Sequence, residues 1–214
     1  MLQPTSSVAA LIGDLVGSRR SQDRAELQRQ MFKVFADVHR LVGGDPTFTI
    51  GDEFQARYPT MGQALEASLQ LHLRASALNR LRIGIGWGEL VAEDPARSPF
   101  GQDGPCWWRA RDAIESIERS SKGRPRLLRT AVRSETALDP LFNGYLSLRD
   151  ALIGGMDEVD IEIAIGLLDG VTQTEVAKRL GLNKSSVSRR AGAHGILALV
   201  EARNVGSPPL PVAP

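Results

Sequence analysis

The chain has 214 residues, with 26 Lys and Arg against 25 Asp and Glu, a net charge of +1. That length allows one sizeable core plus a smaller domain, and the near-balance of charge does not by itself predict a nucleic-acid partner. One cysteine, Cys106, excludes an intrachain disulfide and leaves no zinc cluster. No apolar run approaches the ~20 residues of a membrane span, and no basic-then-apolar leader opens the chain, so a cytoplasmic location without a membrane partner is expected.

Val8–Ile12 is continuously apolar and reads as a central strand buried on both faces. It runs into Gly13-Asp14, then Leu15-Val16-Gly17-Ser18-Arg19. A carboxylate at the carboxyl end of a buried strand sits where open sheets bind ligands, and Gly17 and Ser18 precede a helix whose N–H groups suit a phosphate; a plain strand-to-helix turn accounts for the loop equally well. Residues 23–42 form an amphipathic helix on Leu27, Met31, Phe35, Val38 and Leu41, stopped by Gly43-Gly44-Asp45-Pro46.

Thr47–Gln55 reads as strand, two-residue turn, strand, with Gly51 giving the freedom to turn. Asp52 and Glu53 at its tip are poor strand formers. A polar hairpin tip explains them alone; with Asp14 nearby they become a candidate divalent-metal and phosphate site. A helix over 61–79 follows, with His72 beside its apolar face as a structural residue. In the strand Arg82–Leu90 three glycines alternate with Ile83, Ile85 and Trp87, so one bare face invites a ligand or a closely packed helix. Gly104-Pro105 opens a helix over 106–119, with Trp107, Ala110, Ile114 and Ile117 inward and Arg109 and Arg111 on other faces. A strand is expected at 127–132. The order β-α-ββ-α-β-α-β points to a ferredoxin-like α+β sheet. Basic residues outnumber acidic ones from Arg109 to Arg133, Lys122, Arg124 and Arg126 among them, a footprint for phosphate.

The expected organisation is a ferredoxin-like α+β domain over 1–133, a partly helical connector over 134–156, a small all-α domain over 157–205 and a disordered Pro-rich tail over 206–214. In the all-α part, Val159–Leu168, Gln173–Leu180 and a helix from Lys184 have helix-turn-helix spacing, with Gly181 in the turn, Asn183 as N-cap, and Val176, Leu180, Leu182 and Val187 inside. Asn183, Lys184, Ser185, Ser186, Ser188, Arg189 and Arg190 form the candidate DNA-contacting set. A helical hairpin for protein contact is the plainer alternative.

Four blocks carry a family resemblance: Ile12-Gly-Asp-Leu-Val-Gly-Ser-Arg19, Gly51-Asp-Glu-Phe-Gln55, Arg82-Ile-Gly-Ile-Gly-Trp-Gly-Glu89 and Gly104-Pro-Cys-Trp-Trp-Arg-Ala-Arg-Asp-Ala-Ile114. Together they resemble the SatD family, whose N-terminal part is similar to the class III nucleotidyl cyclase and GGDEF palm. The resemblance implies Mg²⁺ or Mn²⁺ on Asp14 and Asp52, with Glu53 as the GGDEF-type alternative. It also implies a nucleoside triphosphate or related nucleotide against Leu15, Val16, Gly17, Ser18, Arg19, Gly51, Arg109 and Arg111, and a homodimer. Ile50 stands where GGDEF has its first glycine, and the Gly104 helix lacks the Asn and Ala-Ala-Arg run of cyclases. The main expectation is a nucleotide-sensing DNA-binding regulator. The alternatives are a two-metal nucleotidyl cyclase or transferase, and an empty dimerisation scaffold carrying a DNA-binding module.

Overall fold

The computed structural model describes residues 7–17, 23–92, 102–120 and 129–203. Its strands are β1 (Ser7–Leu15), β2 (Thr47–Phe48), β3 (Glu53–Tyr58), β4 (Leu81–Glu89), β5 (Val91–Ala92), β6 (Gln102–Asp103) and β7 (Thr130–Arg133). Five of them form one sheet in the order β2-β3-β1-β4-β7, while β5 and β6 pair as a small ribbon. All neighbours in the main sheet are antiparallel except β4 and β7, which are parallel. The sheet is mixed, and the α+β class is the one expected.

Alternation along β1 sends its side chains to two different cores. On one face Ala9, Leu11 and Leu15 join Phe54, Ala56, Tyr58, Ile83 and Ile85 beneath α1 (Arg24–Val42) and α2 (Met61–Arg74). Asp23 caps α1, its carboxylate accepting from Glu26 N at 2.8 Å. On the other face Val8, Ala10 and Ile12 meet Cys106, Trp107, Ala110 and Ile114 of α3 (Pro105–Ser120).

The bare face of β4 is explained by that helix. A Cβ on Gly84 would lie 2.3 Å from the Ala110 carbonyl oxygen, and one on Gly86 only 2.1 Å from that of Cys106. The glycines therefore let α3 backbone lie on the strand, so of the two explanations for the bare face, close helix packing is the one seen. Gly13 serves a similar end on the opposite face, since Phe54 lies across it in register and a Cβ there would meet its ring at 2.1 Å.

Three expected boundaries move. The second helix ends at Arg74 and gives way to turns through Leu78. The hairpin turn is longer than two residues: β2 ends at Phe48, Gly51 takes φ 69°, and β3 begins at Glu53. Residues 134–156 hold a packed helix, α4 (Asp139–Gly154), with Phe142 and Leu146 in the palm core and Ile153 in the next one. That next core is built from α5 (Glu158–Leu168), α6 (Gln173–Leu180), α7 (Lys184–Ala193) and α8 (Ile196–Ala202), and it includes Leu69 and Leu73 from the outer side of α2. Helix α2 is thus buried on both sides.

Between the two cores sits Arg149, whose side chain, like that of Asp150, has no solvent exposure. Its guanidinium donates to Ser68 Oγ at 2.8 Å, Thr130 Oγ1 at 2.7 Å and Asp150 Oδ1 at 3.0 Å. Asp150 Oδ2 accepts from the backbone N–H groups of Arg129 and Thr130. His72, the expected structural histidine, meets Thr130 Oγ1 at 2.8 Å in the same network.

Candidate functional site

The antiparallel register sets Asp14 opposite Glu53 on β3 and opposite Arg82 on β4. Directly paired residues share a face, and Asp14 shares that of Ile12, the side covered by α3. The result is a charged row across three strand ends. Arg82 grips Asp14 with both arms, Nε to Oδ1 at 2.9 Å and Nη2 to Oδ2 at 2.6 Å, and its Nη1 reaches Glu118 of α3 at 2.5 Å. Arg111, about two turns before Glu118 on α3, holds Glu53 with its two terminal nitrogens, at 2.5 Å and 2.8 Å. Gln55 adds a third donor to Glu53 at 3.1 Å.

The two carboxylates differ electrostatically. Burial raises the Asp14 carboxyl above its ordinary range although Arg82 pulls it down, with Glu118 and Asp52 adding to the rise. Burial also opposes ionisation of Glu53, but there the hydrogen bonds from Arg111 and Gln55 prevail and hold it below the usual carboxylate range.

Asp52 lies in the hairpin turn, its carbonyl accepting from Leu15 N at 3.3 Å. The sequence thus expects Asp14, Asp52 and Glu53 to share a divalent ion, yet Asp14 and Glu53 each commit both oxygens to a guanidinium. No group of three or more His, Cys, Asp or Glu side chains suited to an ion occurs among the described residues. This arrangement does not fit Mg²⁺ or Mn²⁺.

The expected phosphate loop is also altered. Leu15 N and Val16 N are not free for a ligand, because they donate to the carbonyls of Asp52 and of Arg80, the latter at 2.8 Å. The Leu15 side chain is core. Gly17 is exposed with φ 77°, while Ser18 and Arg19 lie outside the described residues, as do Lys122, Arg124, Arg126 and the Pro-rich tail. Gly51 forms the turn tip and its carbonyl accepts from Gln28. Arg109 turns away from the charged row, donating to Trp87 O at 2.8 Å and pairing with Glu135.

Beside the row is a feature the sequence did not disclose. A cleft of about 360 Å³ is lined by Ile12, Gln55, Gln102, Trp107, Trp108, Arg111 and Asp112. Trp108 is largely exposed and donates Nε1–H to Asp103 at 2.7 Å. Trp107 is 7% exposed, yet among the described residues its Nε1–H has no partner, and neither has the buried Gln102 Oε1. Orphaned buried donors and acceptors are uncommon and call for an explanation. The one sequence signal was alternation: Gln55 falls two residues after Glu53, so both had to share the Asp14 face.

Residues 8–208 match the family model described as SatD family. The chain belongs to the SatD family. No curated protein matches this SatD-family chain in sequence. Its structural neighbours are nucleotidyl cyclases. It is similar to a bacterial light-regulated adenylyl cyclase, at 16% identity and TM-score 0.46 over 61% of this chain and 77% of that one. A dimeric guanylyl cyclase domain from the fungus Blastocladiella emersonii is similar at 16% identity and TM-score 0.42, over 52% and 74%. An adenylate/guanylate cyclase/hydrolase from Silicibacter pomeroyi is similar at 23% identity and TM-score 0.40, over 57% and 85%. No described helix of the SatD-family chain is long and apolar enough to cross a membrane.

In the C-terminal helices, Gly181 adopts the left-handed conformation at φ 67° and Asn183 caps α7, its Oδ1 accepting from Ser186 N at 2.7 Å. Val176, Ala177 and Val187 are buried, but Leu182, expected inside, is 36% exposed. Asn183, Lys184, Ser185, Ser188 and Arg189 are exposed, while Ser186 is half-buried. Arg190 departs from the expected outward set. It turns in to Asp160, Nε to Oδ1 at 2.8 Å, and to Asp157. Asp160 is 1% exposed, and a carboxylate so buried needs a cation; His194 Nδ1 lies 2.6 Å from its other oxygen.

Proposed function

We propose that this SatD-family chain binds a nucleotide in the cleft beside the charged row. One observation carries the reading: Trp107 Nε1–H and Gln102 Oε1 are buried without partners among the described residues, and both residues line the cleft. A donor and an acceptor that lack partners match the edge of a nucleobase, which offers both. The exposed ring of Trp108 provides a stacking surface. Arg111 spends two terminal N–H groups on Glu53 and has others for a phosphate, and Asp112 can accept from a ribose hydroxyl.

A thermal-shift panel of nucleoside mono-, di- and triphosphates, run without divalent cations, tests this. Any ligand of the native state must stabilise it, by about 2.7 kcal/mol at one hundred times Kd. A saturable rise in Tm with at least one nucleotide is expected. No rise with any of them ends the proposal.

Turnover is the second reading. Asp52 stands near enough to Asp14 for its charge to be felt there, but the two-metal chemistry expected at these carboxylates meets arginines already in place. Binding is therefore the favoured function. Pyrophosphate release from a nucleoside triphosphate, abolished by Asp52→Asn, would reverse that preference.

DNA contact by α7 is the proposed output. It is supported by the joint exposure of Asn183, Lys184, Ser185, Ser188 and Arg189. A homodimer would set the spacing of two such helices, and light scattering reads that state directly. Affinity for duplex DNA that falls steeply with salt, and less steeply in Lys184→Ala, is the expected result. Salt-independent or absent binding would exclude it.

A further inference from the structure

The charged row reads differently when the two guanidinium groups are counted as ions. Across the sheet the charges alternate: Glu53, Arg111 above it, Asp14, Arg82 beside it, Glu118 above that. Both strand-end carboxylates accept two-armed pairs, so all four oxygens of Asp14 and Glu53 already face an N–H group at 2.5–2.9 Å. The planar fork of arginine matches a carboxylate in a way a point charge does not. The pairs are also only partly exposed: the Asp14 and Arg82 side chains keep 22% and 24% of their surface.

We infer that Arg82 and Arg111 are the resident cations of this site, holding Asp14 and Glu53 in place of a divalent metal ion. A Mg²⁺ ion binds oxygen ligands at about 2.0–2.1 Å and keeps several waters. At Asp14 it competes with Arg82 for the same carboxylate, and at Glu53 with Arg111. In either case a guanidinium is left facing a dication across the same few ångströms. A displaced Arg82 would still be held near that dication by Glu118. The arginines come from different elements, β4 and α3, so they also tie α3 to the sheet end, a task a metal bridging two strands could not perform. Removing one positive side chain should uncover a carboxylate and open the site to a metal.

Electron paramagnetic resonance of Mn²⁺ tests this without any nucleotide, because free Mn²⁺ gives a signal that bound Mn²⁺ loses. The wild-type chain should leave the free signal unchanged. Arg82→Met and Arg111→Met should each reduce it, and adding Asp14→Asn to the first or Glu53→Gln to the second should restore it. Should Arg82→Met fail to fold, Arg111→Met carries the same test, since Arg111 is the more exposed of the two. Loss of free Mn²⁺ signal with wild type, reversed by Asp14→Asn, overturns the inference. So does a folded Arg111→Met that binds no Mn²⁺. Neither outcome depends on whether the cleft takes a nucleotide.

Discussion

Replacing Arg149 with methionine probes how the two cores are joined. The arginine and Asp150 are fully buried, and the guanidinium spans α4, α2 and β7 through Asp150, Ser68 and Thr130. Methionine fills much of the volume but supplies no donor. Asp150 then keeps its two backbone N–H donors and loses its counter-ion, while Ser68 Oγ and the Leu65 carbonyl lose a donor. Breaking a buried pair from one side costs about 3–5 kcal/mol. The surviving backbone donors place this case toward the lower end. For a chain of this size each kcal/mol moves Tm by about 2–4 °C, so a fall of roughly 6–12 °C is expected. Thermal melts followed by circular dichroism measure it, and urea denaturation reads the free-energy loss itself, with the slope against urea unchanged. Adding Asp150→Asn should cost less than the sum of the single changes, because the charges are removed together. A loss below about 1 kcal/mol for Arg149→Met would refute the reasoning.

Acid should weaken the fold through His72. Burial first, with Arg149 and Arg129 adding and Asp150 opposing, lowers its pKa to about 4. The unfolded chain therefore binds the extra proton between about pH 6.5 and 4, and stability is lost as pH falls through that window. The loss is on the order of 3 kcal/mol, and urea midpoints against pH should flatten in His72→Gln. Gly86→Ala should cost about 3 kcal/mol or more, since its Cβ would sit 2.1 Å from one α3 backbone atom and 2.3 Å from another. Gly144→Ala, in α4 with nothing within 4 Å, should instead stabilise by up to about 1 kcal/mol. A pair of thermal melts separates the two glycines.

Local pattern made much of this fold legible. The apolar run at Val8–Ile12, the stripe at Trp107, Ala110 and Ile114 and the stop at Gly181 each depend on neighbours in sequence. The charged row does not. Arg82 and Asp14 are separated by 68 positions, Arg111 and Glu53 by 58. The sequence put Asp14 near Asp52 and Glu53 but carried no information about which cations would arrive there. Hence three carboxylates suggested a metal where guanidinium groups stand. The alternation of glycines on β4 left helix and ligand equally open, because both need a bare backbone, and only packing with α3 separates them. Arg149 and Asp150 did leave a signal. They fall on the stripe of Phe142, Leu146 and Ile153, where a buried charged pair must find partners. Arg190 was misplaced for a related reason. Helical spacing fixes a face, but the buried Asp160 decides that Arg190 turns inward.

The nucleotide reading is tested most directly at Trp107, which lines the cleft. Trp107→Phe deletes the indole N–H and leaves most of the apolar body packed against α3 and β1. Isothermal titration with the nucleotide that raises Tm most, in buffer free of divalent cations, should give saturable binding for wild type. Loss of one hydrogen bond of about 1 kcal/mol should weaken it roughly fivefold in the variant, with Tm in the absence of ligand little changed. Equal affinity in the two proteins, or no heat with wild type, would contradict the account.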